Sequence, residues 1–291
     1  MEVMTVAAGL QRMQALASRL WSRAARQHPG QLAWSVGYAM PEELEHGPVA
    51  IASVGGADVA WAWQEGPTWI ELCLEPVHPT AGEDLLGWAV AREGGVETMV
   101  LETETHLLEL LTRAGFVVDE TAPWFTHHYL DLADLREAEA PPGYRLRPVT
   151  EDQAETRAAC HRASWSATSQ VSGAAYYRLM GTPPYRHDLD WVAVDADDRM
   201  VASTLAWLDQ RTGVALVEPV GCVPEHRGRG LAGATSLAAL AAAAEAGATT
   251  GLVCPRGDDG YPVPAQVYRG LGFEPGPRTL TLRREARPTP A

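Results

Sequence analysis

The chain has 291 residues, 46% of them hydrophobic and 21% charged, which is enough apolar matter for a sizeable core and, at this length, for two domains. Its 37 acidic residues outnumber 23 basic ones for a net charge of −14, so it lacks the excess of Lys and Arg that phosphate backbones require. No nucleic-acid partner is expected, and the sign suits a cationic or amine-bearing ligand.

The opening stretch, MEVMTVAAGLQRMQALASRLW, places apolar residues at helical spacing but interrupts them with Gln, Arg and Ser, unlike the continuous core of a signal peptide. No run is long and apolar enough to span a bilayer, so a cytoplasmic protein without a membrane partner is expected. Cys73, Cys160, Cys222 and Cys254 are scattered without CxxC spacing and read as buried, reduced thiols; no metal is expected. TWIELCLEPVHP is a strand-like run closed by Pro79 and followed by a helix-like one. LLTRAGFVVDE, Leu110 to Glu120, then ends a helical stretch in Gly115-Phe116 and turns into a strand. Asp131 to Tyr144, DLADLREAEAPPGY, is charged and then Pro-Pro-Gly, the chemistry of a linker. The boundary is placed near Pro141, giving halves 1–140 and 141–291.

The second half repeats the order of the first. YRLRPV is a strand, and TEDQAETRAACHRAS is a helix capped by Thr150. DLDWVAVDAD and MVASTLAWLDQ are neighbouring strands, and GVALVEPVGCVP is a third, closed by Pro224. The helix LAGATSLAALAAAAEAG stops at Gly247; TTGLVCP is a buried strand, PAQVYRGLG a short helix, and RTLTLRRE a closing strand after Gly272-Phe273. This order predicts an α/β protein whose mixed sheet carries helices on both faces.

Between the third strand and the alanine-rich helix lies VPEHRGRGLAG, Val223 to Gly233. Its glycines let the backbone turn tightly, and the helix it opens begins with N–H groups that have no intrahelical partner, so it is a candidate anion cradle. Arg227-Gly228-Arg229-Gly230-Leu231-Ala232 after a strand, with Tyr268-Arg269-Gly270-Leu271-Gly272-Phe273 farther on, resembles the acetyl-CoA signature of the GCN5-related N-acetyltransferases (GNAT). The resemblance covers Tyr144 to Glu285 well and the first half in outline, and it implies two tandem GNAT domains. By that resemblance the backbone of Arg227 to Ala232, residues Arg227, Gly228, Arg229, Gly230, Leu231 and Ala232, holds the coenzyme's pyrophosphate. Gly221, Cys222 and Val223 hold its pantetheine arm, on a strand that splays from TTGLVCP. The acetyl group then passes directly from acetyl-CoA to a small-molecule amine, in a monomer or homodimer.

Two groups are candidates for the proton transfers. Tyr268 lies where such enzymes often place the proton donor to the departing thiolate, the alternative being a packing role. Glu218 lies on the strand flanking the acetyl group, where partial burial raises a carboxyl toward use as a base; a solvent-facing glutamate with a water relay is the alternative. Pro219 beside it interrupts ladder hydrogen bonding as a bulge does. The segment His161 to Asp190 is expected to shape the acceptor site, with Trp165, Tyr177 and Tyr185 as substrate-binding candidates beside Tyr176, Asp188 and Asp190; a structural stripe of aromatics fits equally. His161 and His187 read as surface or capping residues.

Two positions depart from the family pattern: Tyr261 and Pro264 replace an Asn and an Ala often found there, so RGDDGYPVP changes the entry to the last helix. In the first half, VHPTAGEDLLG has two glycines, no arginine and two acidic residues, and Leu111 stands where Tyr268 would. That half reads as a degenerate copy that binds no coenzyme and packs on the active one, and it holds seven of the ten tryptophans. The alternatives are a non-catalytic acyl-CoA-binding module or an acetyltransferase of the mycothiol synthase type.

Overall fold

The computed structural model describes residues 1–37, 47–91, 96–166 and 168–285. The first half runs β1 (Glu2–Met4), α1 (Val6–Leu20), α2 (Pro29–Gly37), β2 (Val49–Val54), β3 (Ala57–Trp63), β4 (Glu71–Leu74), α3 (Pro79–Ala89), β5 (Val96–Leu101), α4 (Thr105–Arg113), β6 (Val117–Val118) and β7 (Thr126–Asp131). Thr5 caps α1 by accepting from the Ala8 N–H at 3.3 Å. Val6, Leu10, Met13 and Leu16 then fall on one face and pack against Val49, Ile51, Trp61 and Trp63 of the sheet.

The second half runs β8 (Arg145–Pro148), α5 (Ala154–Ser164), α6 (Gly173–Met180), β9 (Asp190–Val194), β10 (Met200–Asp209), β11 (Val214–Cys222), α7 (Leu231–Glu245), β12 (Thr250–Val253), α8 (Val263–Gly270) and β13 (Glu274–Arg284). A Thr150–Gln153 capping box precedes α5 as the sequence indicates, with one turn of 3₁₀ helix in between. The small side chains of α7 let it lie close on β10 and β11, burying Ala239, Leu240 and Ala243 with Ala206, Ala215 and Val217.

Two sheets result, of mixed α/β character. One has the order β1-β2-β3-β4; the other has β5-β13-β7-β12-β11-β10-β9-β8, with β6 on β13. The halves therefore exchange their last strands. β7 of the first half pairs antiparallel with β12, Leu130 opposite Gly251, while β13 of the second half runs past β7 and pairs with β5, Leu280 opposite Val100. The strand RTLTLRRE does not close its own half; a cut at Pro141 separates each of these strands from the sheet it completes.

Candidate active site

The site is built where two parallel strands part. β11 and β12 are paired from Val214 opposite Thr250 to Leu216 opposite Leu252, after which β12 soon ends while β11 runs on to Cys222. On its other side β11 stays bound to β10, with Val217 opposite Ala206 and Val220 opposite Thr204. Glu218 and Pro219 thus face Leu205 alone, a bulge of two residues against one, as the proline indicates. The Glu218–Pro219 peptide is cis. The Trp207 indole donates to the Glu218 carbonyl at 2.6 Å and holds the bulge against β10.

At the far end of β11, a 3₁₀ turn over Pro224–His226 leads into the glycine loop. Gly228 and Gly230 have φ of 74° and 78°, the left-handed region that favours glycine, and a Cβ on either would meet nothing within 4 Å. Space is therefore open in front of the loop. Gly230 caps α7 without a side-chain hydrogen bond, and the first intrahelical bond is from Ala234 N–H to the Gly230 carbonyl. The N–H groups of Leu231, Ala232 and Gly233 precede it, at the positive end of the helix.

The two arginines of the loop brace it. Arg227 donates to the carbonyls of Cys222 at 3.1 Å and Ser164 at 3.0 Å, tying the loop to β11 and α5. Arg229 donates to Tyr144 Oη at 2.7 Å, which in turn lies 2.9 Å from His226 Nδ1. Val223 sends its N–H to Val201, so strand alternation turns the N–H of Cys222 toward the opening. Gly221 is needed for close approach: a Cβ there would lie 2.7 Å from Ser164 Cβ and 3.0 Å from Trp165 Nε1.

Glu218 and Tyr268 both face this opening's inner end. Burial lifts the Glu218 carboxyl to about 7; Arg26 opposes that rise and Glu65 adds to it. Tyr268 on α8 is 7% exposed and meets Phe273 edge-on at 5.7 Å, packed with Val217 and Val253. Burial, then the nearby Glu218 and Cys254, push its phenol above the ordinary tyrosine value. It therefore stays protonated well above neutral pH.

The acceptor candidates divide by environment. Trp165 is 43% exposed at the mouth beside Gly221 and stacks on His161 at 6.2 Å, and Tyr177 is exposed on α6. Tyr185 is turned inward: with Tyr176 it donates to Asp190 Oδ2, at 3.1 and 2.6 Å, while Arg157 bonds Asp190 Oδ1 at 2.9 Å. Asp188 is held by Arg186. His161 is buried, against the expectation of a surface or capping residue, because Trp34 of α2 and Trp165 sandwich it and Ser169 bonds its Nδ1. Sequence reasoning missed Arg26 and Glu65, which lie far from any motif; a buried arginine has no local signature.

In the first half Trp69, ahead of β4, forms an isolated parallel bridge with Glu97 of β5, and a cavity of about 250 Å³ is lined by Leu20, Cys73, Leu74, Glu104 and His106 among others. In place of a glycine loop, α3 begins at Pro79, which has no N–H to offer, and Glu83 is paired with Arg113. Among the described residues no cluster of three His, Cys, Asp or Glu could hold a metal, and no helix is long and apolar enough to cross a membrane. All four cysteines are free, Cys73 and Cys160 buried and the others half-buried.

This architecture is that of the GNAT acyltransferases. A GCN5-related N-acetyltransferase from Sphaerobacter thermophilus superposes with a TM-score of 0.62 at 18% identity, over 99% of this chain and 96% of that one. The tandem arrangement is matched as a whole: a tandem GNAT protein from the clavulanic acid biosynthesis pathway gives 0.65 at 20% identity over 99% of this chain and 100% of that one. A GNAT-family acetyltransferase from Colwellia psychrerythraea gives 0.62 at 14% identity over 99% and 100%. No family model and no curated protein matches the sequence.

Proposed function

We propose that the chain is an N-acetyltransferase that moves an acetyl group from acetyl-CoA to a small-molecule amine by direct attack, with the active centre in residues 141–291. The observation that carries this reading is the occurrence of three features along one strand, β11: the open glycine loop that follows it at the start of α7, the end of its pairing with β12, and Glu218 on it with Tyr268 close by. The residues fit the coenzyme. Of the expected donors Arg227 to Ala232, the Arg227 N–H is taken by the Pro224 carbonyl at 3.2 Å, the N–H groups from Gly228 to Ala232 suit a pyrophosphate, and Cys222 presents its N–H to a pantetheine arm. Acetyl-CoA supplies the thioester carbonyl and a thiolate leaving group. Glu218, half ionised near neutral pH, takes the proton of the incoming ammonium, and Tyr268 gives its proton to the sulfur. Trp165, beside Gly221, offers the acceptor an aromatic face, Tyr177 on α6 is a second exposed ring, and Tyr185 is held inward on Asp190.

Thiol release from acetyl-CoA, followed across a panel of small amines, tests the proposal. Turnover with at least one amine is expected. Coenzyme binding with no turnover on any of them would replace the enzyme by a non-catalytic binding module.

A further inference from the structure

The half without a cradle reaches the reaction centre through a defined contact. The first turn of α2, which the segment after α1 leads into, lies directly on β10: a Cβ on Gly30 would fall 2.1 Å from Trp207 Cβ, so only glycine permits the backbone to rest on that indole. The same indole holds the Glu218 carbonyl. Tyr129 of β7 fastens the segment from the other side by donating to the Arg23 carbonyl at 3.0 Å. Between these anchors sits Arg26, 6% exposed and ion-paired with Glu71 of β4. Glu71 is itself held by the Gln27 amide at 2.7 Å and the Trp69 indole at 2.8 Å, which fixes where the guanidinium stands.

Resting on the function proposed above, we propose that Arg26 is a positioning residue for Glu218: its buried charge, supplied by the first half, sets how readily the base of the second half gives up its proton. The groups facing Glu218 are Arg26, Glu65 beyond β3, Cys254 beyond β12 and Tyr268 on α8. Those facing Arg26 are Glu71, Cys73, Glu104, Glu65, Cys254, Glu218 and His127. Glu65 and Arg26 act on Glu218 with opposite signs, and both come from the first half. A cation near a carboxylate favours the ionised form, while a second carboxylate disfavours it.

The test reads the Glu218 carboxyl itself, by carbon-13 NMR of glutamate-labelled full-length chain, with Glu218→Gln identifying the signal. The midpoint should lie near 7 in the unchanged chain. It should move up by about one unit or more in Arg26→Met, stay close in Arg26→Lys, and move down in Glu65→Gln. In turnover, an upward shift of one unit leaves about a tenth of Glu218 ionised at pH 7 instead of half, a loss of roughly five-fold that disappears above about pH 9. A purely structural role for Arg26 would lower activity equally at all pH values. An unchanged midpoint in Arg26→Met, or a shift in the same direction for Glu65→Gln, overturns the proposal. If Arg26→Met does not fold, Glu65→Gln and Arg26→Lys still decide it. The titration needs no turnover, so a chain that transfers no acetyl group is distinguished from one whose Glu218 ignores Arg26.

Discussion

Tyr268 and Glu218 are separable by the proton each one handles. Tyr268→Phe removes one oxygen and keeps the ring against Phe273, so coenzyme affinity should persist while turnover falls roughly 10²-fold. Stopped-flow turnover at wild-type rate, with chemistry limiting, would demote Tyr268 to packing. Glu218 has a folded value near 7, so the ionised base is lost as pH falls through that value and the low-pH limb of the rate profile should lie there. Glu218→Gln should abolish that limb, lower turnover most near neutrality and recover part of it at high pH, where the amine deprotonates unaided. A profile with its low-pH limb intact would assign the base elsewhere. Gly230 is constrained by conformation: at φ 78° a Val is strained, and its branches project into the open space before the loop. Gly230→Val should therefore weaken coenzyme binding strongly in a folded protein, and unchanged affinity by calorimetry would move the pyrophosphate site.

At the scale of elements, most of the second half was legible because each of its pieces carries a local signal. Apolar runs on either side of the turn-like DADDR mark β9 and β10, Pro219 marks the bulge, and the glycines mark the loop before α7. The destination of β7 and β13 was not legible. THHYLD and RTLTLRR are ordinary strand sequences, and nothing in either says which edge it will join; partner choice is decided by which sheet still has an unsatisfied edge. The same limit hid Arg26 from the site, since its relation to Glu218 exists only once α1–α2 has docked on Trp207. Residues 141–285 expressed alone lack β7 and leave β12 with an open edge, so they should aggregate instead of giving a folded monomer. Size-exclusion chromatography with circular dichroism checks this, and a well-folded monomeric fragment would mean that the exchange is dispensable.

For the whole molecule, two measurements follow from how the halves differ. With Pro79 where the glycine loop would be, one acetyl-CoA per chain is expected in a calorimetric titration, and a stoichiometry near two would mean that the first half's cavity also accepts it. The second concerns acid. Burial holds His28 near 4 and both His127 and His161 near 3, below the unfolded histidine value of about 6.5. The unfolded chain therefore binds more protons, and stability present above pH 6.5 is lost as pH falls toward those folded values, on the order of 3 kcal/mol for His28 alone. Glu218 and Glu104, both raised by burial, work the other way, Glu218 between about 4.5 and 7, while His106 and His128 are lowered by burial and add to the effect of the other three histidines. The melting temperature should fall steeply from pH 6.5 to 4, and a flat profile would show that these histidines are hydrated in solution.

The exchanged strands also set a timetable. β5 finds its neighbour β13 only after everything from Leu101 to Thr279 has been made, which at ordinary translation rates takes on the order of ten seconds or more. Through that interval the Val96–Leu101 edge has no partner and is a template for any other nascent chain. Neither half can be finished before the other, so the two reach the native state together and late, in one non-local step that slow synthesis or crowding of ribosomes on the message would expose to misassembly.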